Sequence, residues 1–211
     1  MKTDATPRGS YAVGVEKRRL IIEAAADEFA AHGYRGTSLA KIADRVGLTQ
    51  QGVLHYFRTK QDLLVAVLER RDEVDDETIG LLDPDSSMGH GVEALHRLVR
   101  LMDLNARRRG MIQLFTVIVG ESVTTDHPAH AWARRRYHLV RSAIARSLEL
   151  GIEDGSLQPD VDAEAVASAL VAVMDGLQIQ WLLDDSVDLV GRFSGYVARL
   201  EADLTAGPER A

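Results

Sequence analysis

An all-α fold of about nine helices is predicted by three features of the 211-residue sequence. Apolar residues recur with helical period: Leu39, Ile42, Ala43 and Val46 follow an i, i+3, i+4, i+7 template, and Leu63, Leu64, Val67 and Leu68 recur three and four residues apart on one helix face. No stretch alternates apolar and polar residues over a useful strand length. Aromatic residues, which favour strands, make up only 5% of the chain.

Punctuating residues divide the helices. The first runs from about Glu16 to His32, with Ile22, Ala25, Ala26 and Phe29 on one face, and stops at Gly33, suited to the position after a helix end. Thr37 or Ser38 opens a short second helix that closes at Gly47. Thr49 caps a third that ends near Tyr56, and a long fourth starts near Lys60 and reaches Asp76 or beyond. The turn-forming run Leu82-Asp83-Pro84-Asp85-Ser86-Ser87 reads as a seam. Five more helices are expected after it. They cover about Met88 to Arg108, Met111 to Ser122, Pro128 to Leu150, Asp162 to Leu183 and Ser186 to Leu204. Pro128 suits a first helical residue, and Asp162 and Ser186 suit caps. The helix after Pro128 carries Trp132, Leu139, Val140, Ala143, Ile144, Ser147 and Leu148 on its apolar face. Gly151, Gly155 and Pro159 form the next loop, Thr205 to Ala211 a disordered tail, and no internal repeat is evident.

Composition narrows the function. The absence of cysteine excludes disulfides and thiolate chemistry and fits a reducing compartment. Met1 to Arg19 lacks the apolar core of a signal peptide. No apolar run nears the roughly 20 residues that span a bilayer. A soluble, cytoplasmic protein is therefore expected, with no membrane partner. The net charge of −7 is unevenly divided: residues 1–60 carry +4 and residues 61–211 carry −11. A basic end on an acidic body directs only the N-terminal segment toward a polyanion.

The second and third helices flank a tight turn holding Gly47, with Leu48 placed to plug the core between them. This is the order of a helix-turn-helix, whose second helix lies in the major groove. Val53 and Phe57 pack inward, which leaves Gln50, Gln51, Gly52 and His55 outward. Glutamine pairs bidentately with adenine. Glycine inside a helix costs about 1 kcal/mol relative to alanine, a cost that close approach to a base edge would offset.

The stretch from Ala24 to Leu64, AAADEFAAHGYRGTSLAKIADRVGLTQQGVLHYFRTKQDLL, resembles the DNA-binding domain of the TetR family of transcriptional regulators. Phe29, His32-Gly33-Tyr34, Gly36-Thr37-Ser38, Ile42-Ala43, Val46-Gly47, Tyr56-Phe57 and Lys60 carry the likeness. The resemblance implies that Thr37 and Ser38 meet phosphate at a helix N-terminus and that Tyr34, Tyr56 and Lys60 contact phosphates. Thr49, Gln50, Gln51, Gly52 and His55 complete the implied DNA surface. Leu54 departs from the family, where many members carry tyrosine. The resemblance also implies a helix-turn-helix domain over residues 14–62, a ligand-binding and dimerisation domain over 63–205, and repression of a palindromic DNA operator relieved by a small-molecule effector. Ligand-dependent activation and metal-responsive regulation are the alternatives. Leu114-Phe115-Thr116-Val117, His127-Pro128-Ala129-His130 and Asp175-Gly176-Leu177-Gln178 resemble C-terminal domains of actinobacterial members.

Two helices carry adjacent seams of large and small residues. In one, Val166, Leu170, Val173 and Leu177 accompany Ala165, Ala169, Ala172 and Gly176. In the other, Val190, Phe193, Val197, Leu200 and Leu204 accompany Gly191, Gly195, Ala198 and Ala202. A helix with two seams buries two faces, so a homodimeric four-helix bundle is expected through the small ones. Met102, Phe115, Tyr137, Met174, Asp175, Gln178 and Trp181 are the pocket candidates, because they combine apolar surface with isolated polar groups. They favour a hydrophobic or aromatic effector of unknown identity. Asp126, His127, His130 and His138 read as capping and packing residues, so no metal or other cofactor is expected. The sequence carries no phosphate loop, H-E-x-x-H or nucleophile elbow, and no enzymatic activity is expected.

Overall fold

Nine helices account for the regular structure of the described residues. They are α1 (Arg8–Gly36), α2 (Leu39–Arg45), α3 (Gln50–Tyr56), α4 (Lys60–Ile79), α5 (Val92–Ala106), α6 (Arg109–Glu121), α7 (His130–Glu153), α8 (Ala163–Leu183) and α9 (Leu189–Thr205). The computed structural model describes residues 8–80 and 89–205, with side chains from Ala12 onward. The expected seam at 82–87 and the tail at 206–211 lie outside the described residues. The chain forms two compact units that divide between Arg70 and Arg71, inside α4.

In the first unit, α1 begins earlier than Glu16 and its helical bonding resumes briefly beyond the expected stop. Gly33 marks that stop, with φ 72° and ψ 162°, a conformation that costs a side chain and that glycine adopts freely. Ile21, Ala25, Phe29, Ile42, Ala43 and Val53 are buried. Helix α2 packs on both α1 and α3. Two side-chain ties fix it: Lys17 donates to the Val46 carbonyl at 3.1 Å, and Arg45 reaches Glu28 and Asp27, each at 2.9 Å. Helix α4 opens with a reciprocal cap, in which Thr59 N–H donates to Asp62 and Asp62 N–H donates to the Thr59 hydroxyl, both at 3.0 Å.

In the second unit, α5 packs on α9 and α7 on α8, while α8 also meets α6 and α9. Leu95, Leu98, Met102, Ile144, Leu148, Leu170 and Phe193 lie in the shared core. Gly151 is not in a loop as expected. It is a buried residue of α7, because the chain before α5 crosses there: a Cβ at Gly151 would lie 2.6 Å from Gly91 Cα. Helix α5 starts only after Gly91, whose N–H donates to the Ser147 carbonyl at 2.8 Å.

Three local expectations change. Helix α7 starts at His130, and its face excludes Leu139, which is 43% exposed. Asp188, not Ser186, caps α9 by accepting from Gly191 N–H at 2.9 Å, and the helix starts directly after it at Leu189. Helix α8 is long and apolar enough by composition to cross a membrane, contrary to expectation. In this fold it is a core helix that buries Ala163, Ala167, Leu170, Val171, Met174 and Gln178.

Candidate DNA-binding face and interior cleft

The helix-turn-helix forms from its caps inward. Ser38 accepts from Lys41 N–H at 3.3 Å to start α2, and Thr49 accepts from Gly52 N–H at 3.1 Å to start α3. Between them Gly47 turns the chain at φ 64°, and Leu48 N–H donates to the Ala43 carbonyl at 2.9 Å. Val53 is buried, so Gln50, Gln51 and His55 stand exposed on the opposite side of α3. Gly52 is half-buried, and a Cβ there would meet Leu48 and Thr49 no closer than 3.4 Å.

Around this helix Ser38 and Thr49 are exposed, and Tyr34, Tyr56 and Lys60 are half-buried. The Lys60 ammonium lies 4.5 Å from the centre of the Tyr34 ring, a cation–π contact made within the unit. Burial pushes the Tyr34 phenol up and the Lys60 ammonium down from their ordinary values. Thr37 departs from expectation. It is 3% exposed, and its hydroxyl donates at 3.0 Å to the Glu28 and Gly33 carbonyls, so it ties the end of α1 instead of facing phosphate.

The second unit holds a narrow cleft, with room inside for water-sized groups as it stands. Phe115, Tyr137, Met174, Asp175 and Gln178 all stand in its walls. Met102 and Trp181 do not. Met102 is fully buried behind Gln178, and the half-buried Trp181 is covered by Arg109 at 4.6 Å from its ring centre.

The sequence reading missed three polar wall residues, Arg71, Asn105 and Arg136. Arg71 and Arg136 belong to a buried ion cluster. Asp75, wholly buried, accepts from Arg108 at 2.7 Å and lies 3.3 Å from Arg71, while Asp72 pairs with Arg136 and accepts from Trp132 Nε1 at 3.0 Å. Burial pulls the Arg71 guanidinium down to about 10, so it stays positive at neutral pH, and pushes the Asp72 carboxyl up. A signal was present: Leu64, Leu68, Arg71, Asp75 and Ile79 follow helical spacing, so the charges continue an apolar stripe. Tyr137 donates to Asp175 at 2.6 Å. Burial raises both groups, and the hydrogen bond holds Asp175 partly back.

The small seams stay uncovered within one chain. Ala165, Ala169, Ala172, Gly191, Ala198 and Ala202 are exposed, and Gly176 and Gly195 are half-buried. Ile179 and Leu183 extend the α8 seam and are 45% and 82% exposed. Of the large seams, Leu170, Phe193, Val197 and Leu204 are buried, while Val166, Val173, Leu177, Val190 and Leu200 are half-buried. The histidines between α6 and α7 close that loop: His127 Nδ1 accepts from Ala129 N–H at 3.2 Å, and His130 Nδ1 lies 2.8 Å from the Ser122 carbonyl.

Comparison with known proteins adds a family. The model described as "Bacterial regulatory proteins, tetR family" matches residues 21–67, and that described as "BetI-type transcriptional repressor, C-terminal" matches residues 92–199. The HTH-type transcriptional regulator TtgR of Pseudomonas putida is 30% identical over 191 residues, which cover 86% of this chain and 88% of that protein. A transcriptional regulator from Saccharomonospora viridis in complex with choline has a TM-score of 0.72 at 25% identity, covering 92% of this chain and all of that one. The regulator FadR of Bacillus subtilis, in complex with stearoyl-CoA, shares the fold with a TM-score of 0.71 at 18% identity, covering 88% and 98%. With α2 and α3 capped as a helix-turn-helix, and a match along most of its length, the chain belongs to the TetR family of bacterial regulatory proteins.

Proposed function

We propose that the chain is a homodimeric repressor that releases a palindromic operator when a small molecule enters the cleft of its second unit. The observation that carries the reading is α3, which offers Gln50, Gln51 and His55 to solvent beside a glycine its own packing does not require. Gln51 and His55 read base edges, and Ser38, Thr49, Tyr34, Tyr56 and Lys60 hold the backbone. Two copies pair through the small faces of α8 and α9, so two α3 helices meet successive major grooves about 34–36 Å apart. The DNA-binding domain lies within residues 14–62 and the sensing and dimerising domain within 63–205. The protein works in the cytoplasm, where its DNA is.

Coupling runs through α4. Residues 60–70 of this helix belong to the DNA-binding unit, while Arg71 lines the cleft of the other. A ligand that favours one position of Arg71 therefore favours one position of the helix that carries it. The shift is limited to the ligand's differential affinity for the two states.

Selection of bound duplexes from a random library tests this, comparing wild type with the Gln51→Ala, His55→Ala double variant at fixed salt. A palindromic consensus that the variant loses or broadens supports the reading. Weak, salt-sensitive binding without enrichment overturns it.

A further inference from the structure

The walls of the cleft carry more cationic than anionic side chains, and Asp72 and Asp75, outside the lining, pair with both arginines. The charged groups of the walls are the guanidinium groups of Arg71 and Arg136 against the single carboxylate of Asp175, whose Oδ2 is covered by the Tyr137 hydroxyl at 2.6 Å. Arg71 is 4% exposed and its donors are incompletely used. Nη2 faces Asp75 at 3.3 Å and Nη1 stands 3.7 Å from Asp72, but Nε and Nη1 have no hydrogen-bond acceptor among the described residues. Unmet donors on a buried charge are costly, and a ligand that satisfies them recovers that cost.

An unmet acceptor lies in the same walls, which a hydroxyl or N–H on the body of a ligand would meet and its carboxylate would not. Gln178, 3% exposed, donates Nε2 to the Met174 carbonyl at 3.2 Å, leaving Oε1 buried without a donor. The remaining surface is apolar, with Leu98, Leu101, Val140 and Val171. The Phe115 ring, the surface a cationic ligand would seek, is already taken: Arg71 lies 4.1 Å and Arg136 5.1 Å from its centre.

We infer that the effector is a small amphipathic carboxylate, its acid group accepting from Arg71 and its apolar body lying along Leu98, Leu101, Val140 and Val171. This rests on the reading of the cleft as the effector site. A quaternary ammonium compound, such as the choline bound by the Saccharomonospora viridis regulator, is disfavoured here, because it would meet two guanidinium groups.

Matched probes test the charge class by calorimetry on the full chain: 3-phenylpropionate, 3-phenylpropionamide and (2-phenylethyl)trimethylammonium, with octanoate, octanamide and octyltrimethylammonium as a second set. A carboxylate should bind at least about tenfold more tightly than its amide, and the ammonium compounds should not bind. Arg71→Met should abolish that preference. Because it strips partners from Asp72 and Asp75 and risks unfolding, Gln178→Glu serves as a second variant that leaves the ion cluster intact. Measured at a pH high enough to ionise the buried carboxyl, it should weaken carboxylate binding about tenfold by adding a like charge to the wall. Equal or tighter binding of an amide or ammonium overturns the inference, as does unchanged carboxylate affinity in Gln178→Glu. Operator affinity separates the two failures. An ammonium that binds and releases the selected operator removes the charge class and keeps the effector site. A carboxylate that binds without changing operator affinity keeps the charge class and removes the effector role. If none of the six binds at millimolar concentration, both fall.

Discussion

Gly52→Ala separates the needs of the fold from the needs of DNA recognition. Gly52 sits in the first turn of α3 and is absent from the positions with positive φ, so alanine adopts its backbone without strain. The added methyl would lie 3.4 Å from Leu48 Cβ, 3.5 Å from the Thr49 hydroxyl oxygen and 3.6 Å from Leu48 Cδ2, close to ordinary contact. Alanine in place of helical glycine stabilises by roughly 0.5–1 kcal/mol, and little in the surroundings opposes the gain. If α3 approaches base edges, the same methyl stands between helix and DNA. Operator affinity should then fall at least about tenfold, or about 1.4 kcal/mol, while binding to random duplex is unchanged. Urea unfolding and fluorescence anisotropy on the selected operator measure the two effects. A destabilised variant would show that the protein's own packing requires the glycine. A stabilised variant with wild-type operator affinity would show that α3 does not come close to the bases at this position.

The other consequences are as direct. Gly151→Ala should destabilise the second unit by about 1–3 kcal/mol, because its Cβ would meet the Gly91 backbone at 2.6 Å, and chemical denaturation will show whether the chain relaxes to admit it. Ala169→Glu places a charge in the uncovered α8 seam and should give a monomer by light scattering at micromolar concentration; a persistent dimer would place the interface elsewhere. Asp175 has its carboxyl raised mainly by burial, so the folded state holds its proton at pH values where the unfolded chain has lost it. That contribution to stability is present below the ordinary carboxylate range and is lost as pH rises to the raised value. Asp175→Asn should flatten this part of a melting-temperature profile against pH, and an unchanged slope would remove Asp175 as its source.

Much of the architecture was legible because helix ends are written in short-range chemistry. Ser38, Thr49 and Asp162 cap the helices they were expected to cap, since each needs only its own oxygen and an amide three residues on. Where two such residues compete, local rules fail: Ser186 and Asp188 both suit a cap, and the helix starts only after the second. Gly151 was misread because its reason for being glycine lies sixty residues away in Gly91. In the cleft, Asp175 and Gln178 stood out as polar breaks in an apolar run. Arg71 and Arg136 were passed over because a helical arginine ordinarily faces water, and only the partners Asp72 and Asp75 make its burial tolerable.

The buried ion cluster also constrains how this protein can diverge. Arg71, Asp72, Asp75, Arg108 and Arg136 come from α4, α7 and the turn before α6, and all but Arg108 pair with more than one neighbour. Loss of one member strands the others, a cost of about 3–5 kcal/mol for a buried pair, so single steps away from the cluster are steep even where the end point would be stable. Its members must therefore be exchanged together, through combinations whose effects do not add. Retuning the cleft for a new ligand would leave this cluster until last and begin with Leu98, Leu101, Val140 and Val171, whose replacement strands no charge.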